Sequence, residues 1–226
     1  MASSNAKATK PRLTRESPVG ERTPTIVRRL TKAYPDAHVA LNFTTPLECL
    51  VATILSAQCT DEKVNEVTAT LFAKYRSAED YLAVAEDELK ADIKPTGFFN
   101  QKAASLRAAC ERIVTVYDGK VPDTMEDLQT LRGVARKTAN IVMGNAYGKV
   151  EGIAVDTHVR RLSNRLGFSD EHDPDKIEQD LMRLIPRRRW FDFTYVLIDH
   201  GRAICQAKKP RCAECPVREL CPASQV

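Results

Sequence analysis

No run of about 18 apolar residues occurs anywhere in this chain, so nothing in it reads as a membrane-crossing helix. The opening residues, MASSNAKATKPRLTRESPVGERTP, also lack the apolar stretch of a secretory signal. These two absences predict a water-soluble protein of the cytoplasm. Strand signals are equally scarce: no segment alternates apolar and polar residues cleanly, and the best candidate, GKVEGIAV, is short. There is no internal repeat. The expected fold class is therefore all-α. A surplus of one charge sign is missing as well, once the tail is set aside. The net charge is +4, but Lys7, Lys10, Arg12, Arg15 and Arg22 against Glu16 and Glu21 place +3 of it before residue 26. Global charge thus decides little, and local clusters carry the argument.

With 226 residues, 43% of them hydrophobic, the chain can bury one large core or two modest ones. Residues 1–22 are rich in Ser, Thr, Lys and Pro with little to bury, which predicts a disordered basic tail. Helix starts are then written plainly. Thr45-Pro46 with Glu48 is a capping-box pattern with proline in the first turn; Thr23-Pro24, Ser77 with Asp80, and Asp173-Pro174 mark others. Basic clusters recur at Arg132, Arg136 and Lys137, at Arg160, Arg161 and Arg165, and at 187–189. Several such patches around one cleft would make an electrostatic footprint for a polyanion.

The stretch TMEDLQTLRGVARKTANIVMGNAYG, 124–148, holds a short helix, a tight turn at Arg132-Gly133-Val134-Ala135, and a longer helix from about Arg136. Such a hairpin can aim backbone N–H groups at a phosphate from the positive end of a helix, although an ordinary αα-hairpin has the same outline. Lys137 falls in that first turn, where the helix dipole disfavours a cation. Asp156, in AVDTHVRRLSNRLG, stands at the start of another helix, where capping is its simplest role. An amine with a carboxylate nearby is also what imine chemistry at a sugar carbon requires.

Four of seven cysteines, Cys205, Cys212, Cys215 and Cys221, crowd the end of the chain around Lys208, Lys209 and Arg211. In a reducing compartment such a cluster reads as metal-binding rather than disulfide-forming, and the spacing by itself leaves zinc and iron–sulfur ligation open. Cys49, Cys59 and Cys110 are scattered and read as core thiols.

Taken together, LRGVARKTANIVMGNAYG, AVDTHVRRLSNRLGF, LSAQCTD and the terminal C-x6-C-x2-C-x5-C resemble the endonuclease III family of base-excision DNA glycosylases, from about Thr23 to Cys221. The resemblance implies a two-lobed helix-hairpin-helix fold: a six-helix barrel at 39–149 with the hairpin at 124–146, and a discontinuous cluster domain from 23–38 and 150–226. It implies Lys137 as nucleophile, Asp156 as catalytic carboxylate, and a [4Fe-4S] cluster on Cys205, Cys212, Cys215 and Cys221. Gln58 would fill the gap left by an extruded base and Phe98 would wedge the stack. Arg132, Gly133, Val134, Ala135, Lys208 and Lys209 would contact DNA. The implied activity is that of a monomeric, nucleoid-associated glycosylase and abasic-site lyase acting on damaged pyrimidines in duplex DNA.

Two positions depart from the family's usual hairpin, Leu-Pro-Gly-Val-Gly: arginine replaces proline at 132 and alanine replaces glycine at 135. Ala135 fits only with a negative φ. The wedge is commonly leucine, here Phe98. Adenine-excising relatives generally lack the hairpin lysine, carry an acid near the position of Thr53, and extend into a further C-terminal domain; a non-catalytic hairpin DNA-binding protein is the other alternative.

Overall fold

The computed structural model describes residues 13–226, and these residues are helical without a strand. In chain order the helices are α1 (Val19–Ala33), α2 (Pro46–Leu55), α3 (Asp61–Lys74), α4 (Ala78–Ala83), α5 (Glu86–Ile93), α6 (Phe99–Val116), α7 (Met125–Gln129), α8 (Arg136–Tyr147), α9 (Thr157–Leu166), α10 (Pro174–Leu184) and α11 (Trp190–Ala203). Single 3-10 turns at Lys94–Thr96, Arg187–Arg189, Cys212–Glu214 and Arg218–Leu220 complete the path.

Local chemistry sets these starts. Thr45 and Glu48 exchange side-chain-to-backbone bonds in a capping box, with Pro46 at the first helical position, and Ser77 with Asp80 repeats the device. Every side chain from Cys49 to Leu55 is buried, so α2 has no solvent face and runs through the middle of a core. It packs on α8, α3 and α6. One apolar core joins residues from Leu41 to Met143; a second joins Ile26, Val27 and Leu30 of α1 to residues from Ile153 to Leu220. Each fully buried Leu, Ile or Val contributes about 1.5–3 kcal/mol, and α2 alone supplies several.

The N-terminal expectation needs correcting. Residues 1–12 of the predicted tail lie outside the described residues, but the segment that follows is structured, and α1 begins at Val19 instead of at Thr23-Pro24. Pro24 sits inside the helix, where it removes one backbone hydrogen bond. Arg22 accounts for the earlier start: it is 4% exposed and donates to the carbonyls of Ser17 (2.8 Å), Leu166 (2.9 Å) and Leu220 (2.7 Å). Long-range contacts override the local signal.

Candidate active site and cluster segment

Thr124 caps α7, its hydroxyl accepting from the Asp127 amide at 3.2 Å. The turn that follows is closed by the Leu131 amide on Leu128 O and the Val134 amide on Leu131 O, each at 3.1 Å. Gly133 has φ +87°, and a Cβ there would stand 3.0 Å from Ser105 Cβ on α6. Only glycine suits that position. Ala135 has φ −86° and ψ 172°, extended backbone in which its Cβ is unstrained, so the departure from glycine is accommodated. Val134 is buried in the barrel core and its N–H is used within the turn, whereas Arg132, Gly133 and Ala135 are exposed. No side chain caps α8. Its first amides therefore point outward at the positive end of a twelve-residue helix, where an anion is favoured.

Lys137 lies exposed in the first turn of α8, and among the described residues no hydrogen bond or ion pair engages its amine. Asp156 does cap α9: its Oδ1 accepts from the amides of His158 (2.8 Å) and Val159 (2.7 Å), and Oδ2 stands 3.1 Å from His158 Nδ1. Capping is not its only placement. Asp156 and Lys137 line one cleft between the two cores, together with Ser56, Asp61, Tyr195 and Arg202. Arg202 donates to Asp61 Oδ2 at 2.6 Å, an ion pair from α11 to the start of α3 across that cleft. Asp61 stands in the LSAQCTD motif, where sequence reading gave it no role; Arg202 carried no signal at all.

Arg136, next to Lys137, is committed elsewhere. Its Nε and Nη2 donate to Glu178 Oε2 (2.6 Å) and Oε1 (3.1 Å) on α10, and Asn140 Nδ2 donates to Oε1 at 2.9 Å. Glu178 is 3% exposed, and a Cβ on Gly152 would come within 1.8 Å of its Oε1. Glycine at 152 makes room for the carboxylate. This pair, a buried carboxylate with a half-buried guanidinium, ties the start of α8 to α10.

A second hollow is lined by Gln58, Phe98, Gln101, Lys102, Ser105 and Gly133. Gln58 (φ 53°) and Phe98 (φ 49°) are both left-handed, and Phe98 is 56% exposed although aromatic. A non-glycine residue in that region costs on the order of 1–3 kcal/mol, and such residues cluster at functional sites. Cys59, beside Gln58, is half-buried and packs against the first core, and burial pushes Cys49 and Cys110 up to about 12 and keeps them inert.

Cys205, Cys212, Cys215 and Cys221 line one cavity. Among the described residues no three His, Cys, Asp or Glu side chains are placed to hold a single metal ion. Four thiols lining one hollow supply the donor set of a polynuclear cluster, one thiolate to each iron. The surroundings suit sulfur ligands. Arg165 Nη1 donates to Cys205 Sγ at 3.3 Å, and His200 Nε2 stands 3.5 Å from Cys215 Sγ. Burial pushes His200 down to about 4, so the ring is neutral near pH 7. With Tyr34 Oη 3.0 Å from His200 Nδ1, a Tyr34 donor leaves the Nε2 proton facing the sulfur. Burial likewise raises Cys215 to about 11, so ligation must drive the thiol proton off.

Most clustered arginines turn out to be structural. Arg161 and Arg165 donate to the carbonyls of Gly201, Cys205, Gln206 and Ala207, and Arg211 donates to Ala203 O. They hold the cysteine loop in place. Lys208 and Lys209 remain exposed on that loop, as does Arg160 on α9.

Residues 51–187 match the HhH-GPD superfamily of base excision DNA repair proteins, and residues 205–221 match the iron-sulfur binding domain of endonuclease III. The chain is 50% identical to endonuclease III of Synechocystis sp. over 91% of its own length and 94% of that protein. It is 47% identical to endonuclease III of Bacillus subtilis, over 83% and 86% of the two chains. The solved structure of a trapped endonuclease III–DNA covalent intermediate superposes with a TM-score of 0.88 at 41% identity, covering 91% of this chain and 97% of the other. No helix among the described residues is long and apolar enough to cross a membrane. The chain therefore belongs to the endonuclease III family, helix-hairpin-helix DNA glycosylases with abasic-site lyase activity that carry a [4Fe-4S] cluster and act in base-excision repair of DNA.

Proposed function

We propose that this enzyme excises oxidised pyrimidines from duplex DNA with Lys137 as nucleophile and Asp156 as its supporting carboxylate. One observation carries the reading: an amine without a protein partner and a half-buried carboxylate, nineteen residues apart in sequence, open into the same cleft between the two cores. The Lys137 amine attacks C1′, and the glycosidic pair of electrons leaves with the base, which takes up a proton. One proton of the attached amine passes to O4′ as the C1′–O4′ bond breaks and the sugar ring opens, leaving a protonated Schiff base. Loss of a C2′ proton then expels the 3′ phosphate, and water hydrolyses the imine. Asp156 lowers the energy of positive charge developing on the sugar and relays protons.

Gln58 and Phe98 fill and wedge the stack from which the base is drawn, as their exposed, strained backbones support. The hairpin holds a phosphate on the outward amides of α8, with Arg132 beside it, and Lys208 and Lys209 contact phosphates further along. The four cysteines hold the cluster, which when bound orders a segment too short for its own core. DNA binding supports a cytoplasmic location on the nucleoid. Thr53 stands near the position where adenine-excising relatives carry an acid; here it is a buried neutral hydroxyl donating to Cys49 O at 2.7 Å, which disfavours adenine removal.

Duplexes carrying a single thymine glycol, a single oxidised cytosine or an adenine mismatch separate these readings. The first two should release free base and a nicked strand with an unsaturated 3′ aldehyde. Adenine release, or binding without cleavage, would overturn the assignment.

A further inference from the structure

Lys102 is 5% exposed, and among the described residues no carboxylate pairs with it. Its Nζ instead donates to two backbone carbonyls, Leu55 O at 2.7 Å and Thr96 O at 2.8 Å. Both acceptors end an element: Leu55 is the last residue of α2, and Thr96 the last of the turn Lys94–Thr96. Terminal carbonyls have no partner within their helix and sit at its negative pole, so one ammonium satisfies two orphan groups. Burying a cation is costly, and this burial lowers the pKa of Lys102. Its position shows what that cost secures.

Three non-glycine residues among those described have positive φ: Gln58, Phe98 and Asp118. Gln58 follows Leu55 by three residues, and Phe98 follows Thr96 by two. The Lys102 amide also donates to Phe98 O at 3.1 Å. Left-handed side-chain-bearing residues persist only where their surroundings over-determine them. Here one residue holds the carbonyls just before both, and all three side chains line the same hollow with Gly133 of the hairpin.

We propose that Lys102 is a positioning residue for base extrusion, tying the loop that carries Gln58 to the loop that carries Phe98 so that both enter the DNA stack in register. The proposal rests on the reading of Gln58 and Phe98 given above. Lys102 touches neither the sugar nor Lys137; it acts through the two loops. Because the gap opened in the stack must be filled as it forms, loops free to move independently would slow extrusion of a paired base. A preformed abasic site, already unpaired, makes little demand on them.

The test compares Lys102→Met, which keeps the apolar stem and removes the ammonium, with a Gln58→Ala/Phe98→Ala variant and the unaltered holoenzyme. Single-turnover rates are measured on a duplex with one paired thymine glycol and on one with a preformed abasic site, and amide hydrogen exchange is followed over 56–60 and 96–99. The expected result for Lys102→Met is a loss of about 10- to 100-fold on the paired lesion, the scale set by small misplacements of positioned groups. Abasic-site cleavage should stay within about threefold, an allowance set well below that loss, and exchange should quicken in those two segments. An equal loss on both substrates, or unchanged exchange, overturns the proposal. If Lys102→Met is insoluble, Lys102→Arg, which keeps charge and donors but changes their reach, is judged by the same ratio. If the Gln58→Ala/Phe98→Ala variant loses both activities equally, the extrusion reading itself falls and the proposal with it; if that variant discriminates and Lys102→Met does not, only the proposal falls.

Discussion

Asp156 caps α9, and the proposed reaction gives it a second job that one pair of substitutions can separate from the first. Its Oδ1 accepts from two amides at the start of α9, and Oδ2 faces His158 Nδ1. Asparagine keeps an oxygen for the amides and places an NH2 where Oδ2 was, toward His158 Nδ1, which accepts in the tautomer protonated at Nε2. Asn and Asp cap about equally well, and losing the charge at the helix N-terminus costs only about 0.3–1 kcal/mol. Asp156→Asn should therefore unfold within about 1 kcal/mol of the unaltered protein. Excision should nevertheless fall by roughly 10²- to 10⁴-fold, the range for a positioned acid or base, or about 3–5 kcal/mol of barrier. Asp156→Ala removes the cap too and should lose a further 0.5–2 kcal/mol of stability, roughly, with no greater loss of rate. The assay pairs single-turnover excision on thymine glycol duplex with thermal unfolding of the holoenzyme. An Asn variant that excises within tenfold of normal, or whose lost rate comes with a stability loss above about 2 kcal/mol, would leave capping as the residue's only role.

Protein isolated with its iron supply intact should be brown with about four irons per chain, and Cys212→Ser or Cys215→Ser should lose the colour and most soluble protein; stoichiometric zinc without iron would contradict this. Glu178→Gln leaves Arg136 with a neutral partner, so urea unfolding should show a loss of about 2–3 kcal/mol, the scale of hydrogen bonds to charged groups. A change below about 0.5 kcal/mol would mean the pair does not fix α8.

How far the sequence foretold the site depended on the range of the interactions concerned. Caps at Thr45, Ser77 and Asp173 are legible because the residues that satisfy them lie within three positions. The turn at Gly133 and the cysteine spacing are local in the same sense. Arg22 reads as tail in the sequence because its partners, Leu166 O and Leu220 O, lie far along the chain. The clusters holding Arg136, Arg161 and Arg165 read singly as solvated faces and jointly as a phosphate footprint, because charge clusters in sequence reveal nothing about the Glu178 carboxylate and the backbone carbonyls that converge on them only on folding. Lys102 is silent in the sequence for the same reason: its acceptors belong to α2 and to the Lys94–Thr96 turn, and no pattern around it marks it as buried. The Asp61–Arg202 pair across the cleft is likewise a product of packing between the two cores.

The central claim, that the Lys137 amine forms the covalent bond to C1′, is tested most directly by borohydride reduction during turnover on duplex DNA with a single oxidised pyrimidine. Reduction converts the Schiff base to a stable amine linkage, and peptide mapping of the adduct locates the residue. The unaltered enzyme should trap at Lys137, and Lys137→Gln should bind the same duplex yet neither trap nor cleave, since the outward amides of α8 and the exposed Arg132, Lys208 and Lys209 are untouched. A borohydride-stable adduct formed by Lys137→Gln would make another amine the nucleophile and contradict the account.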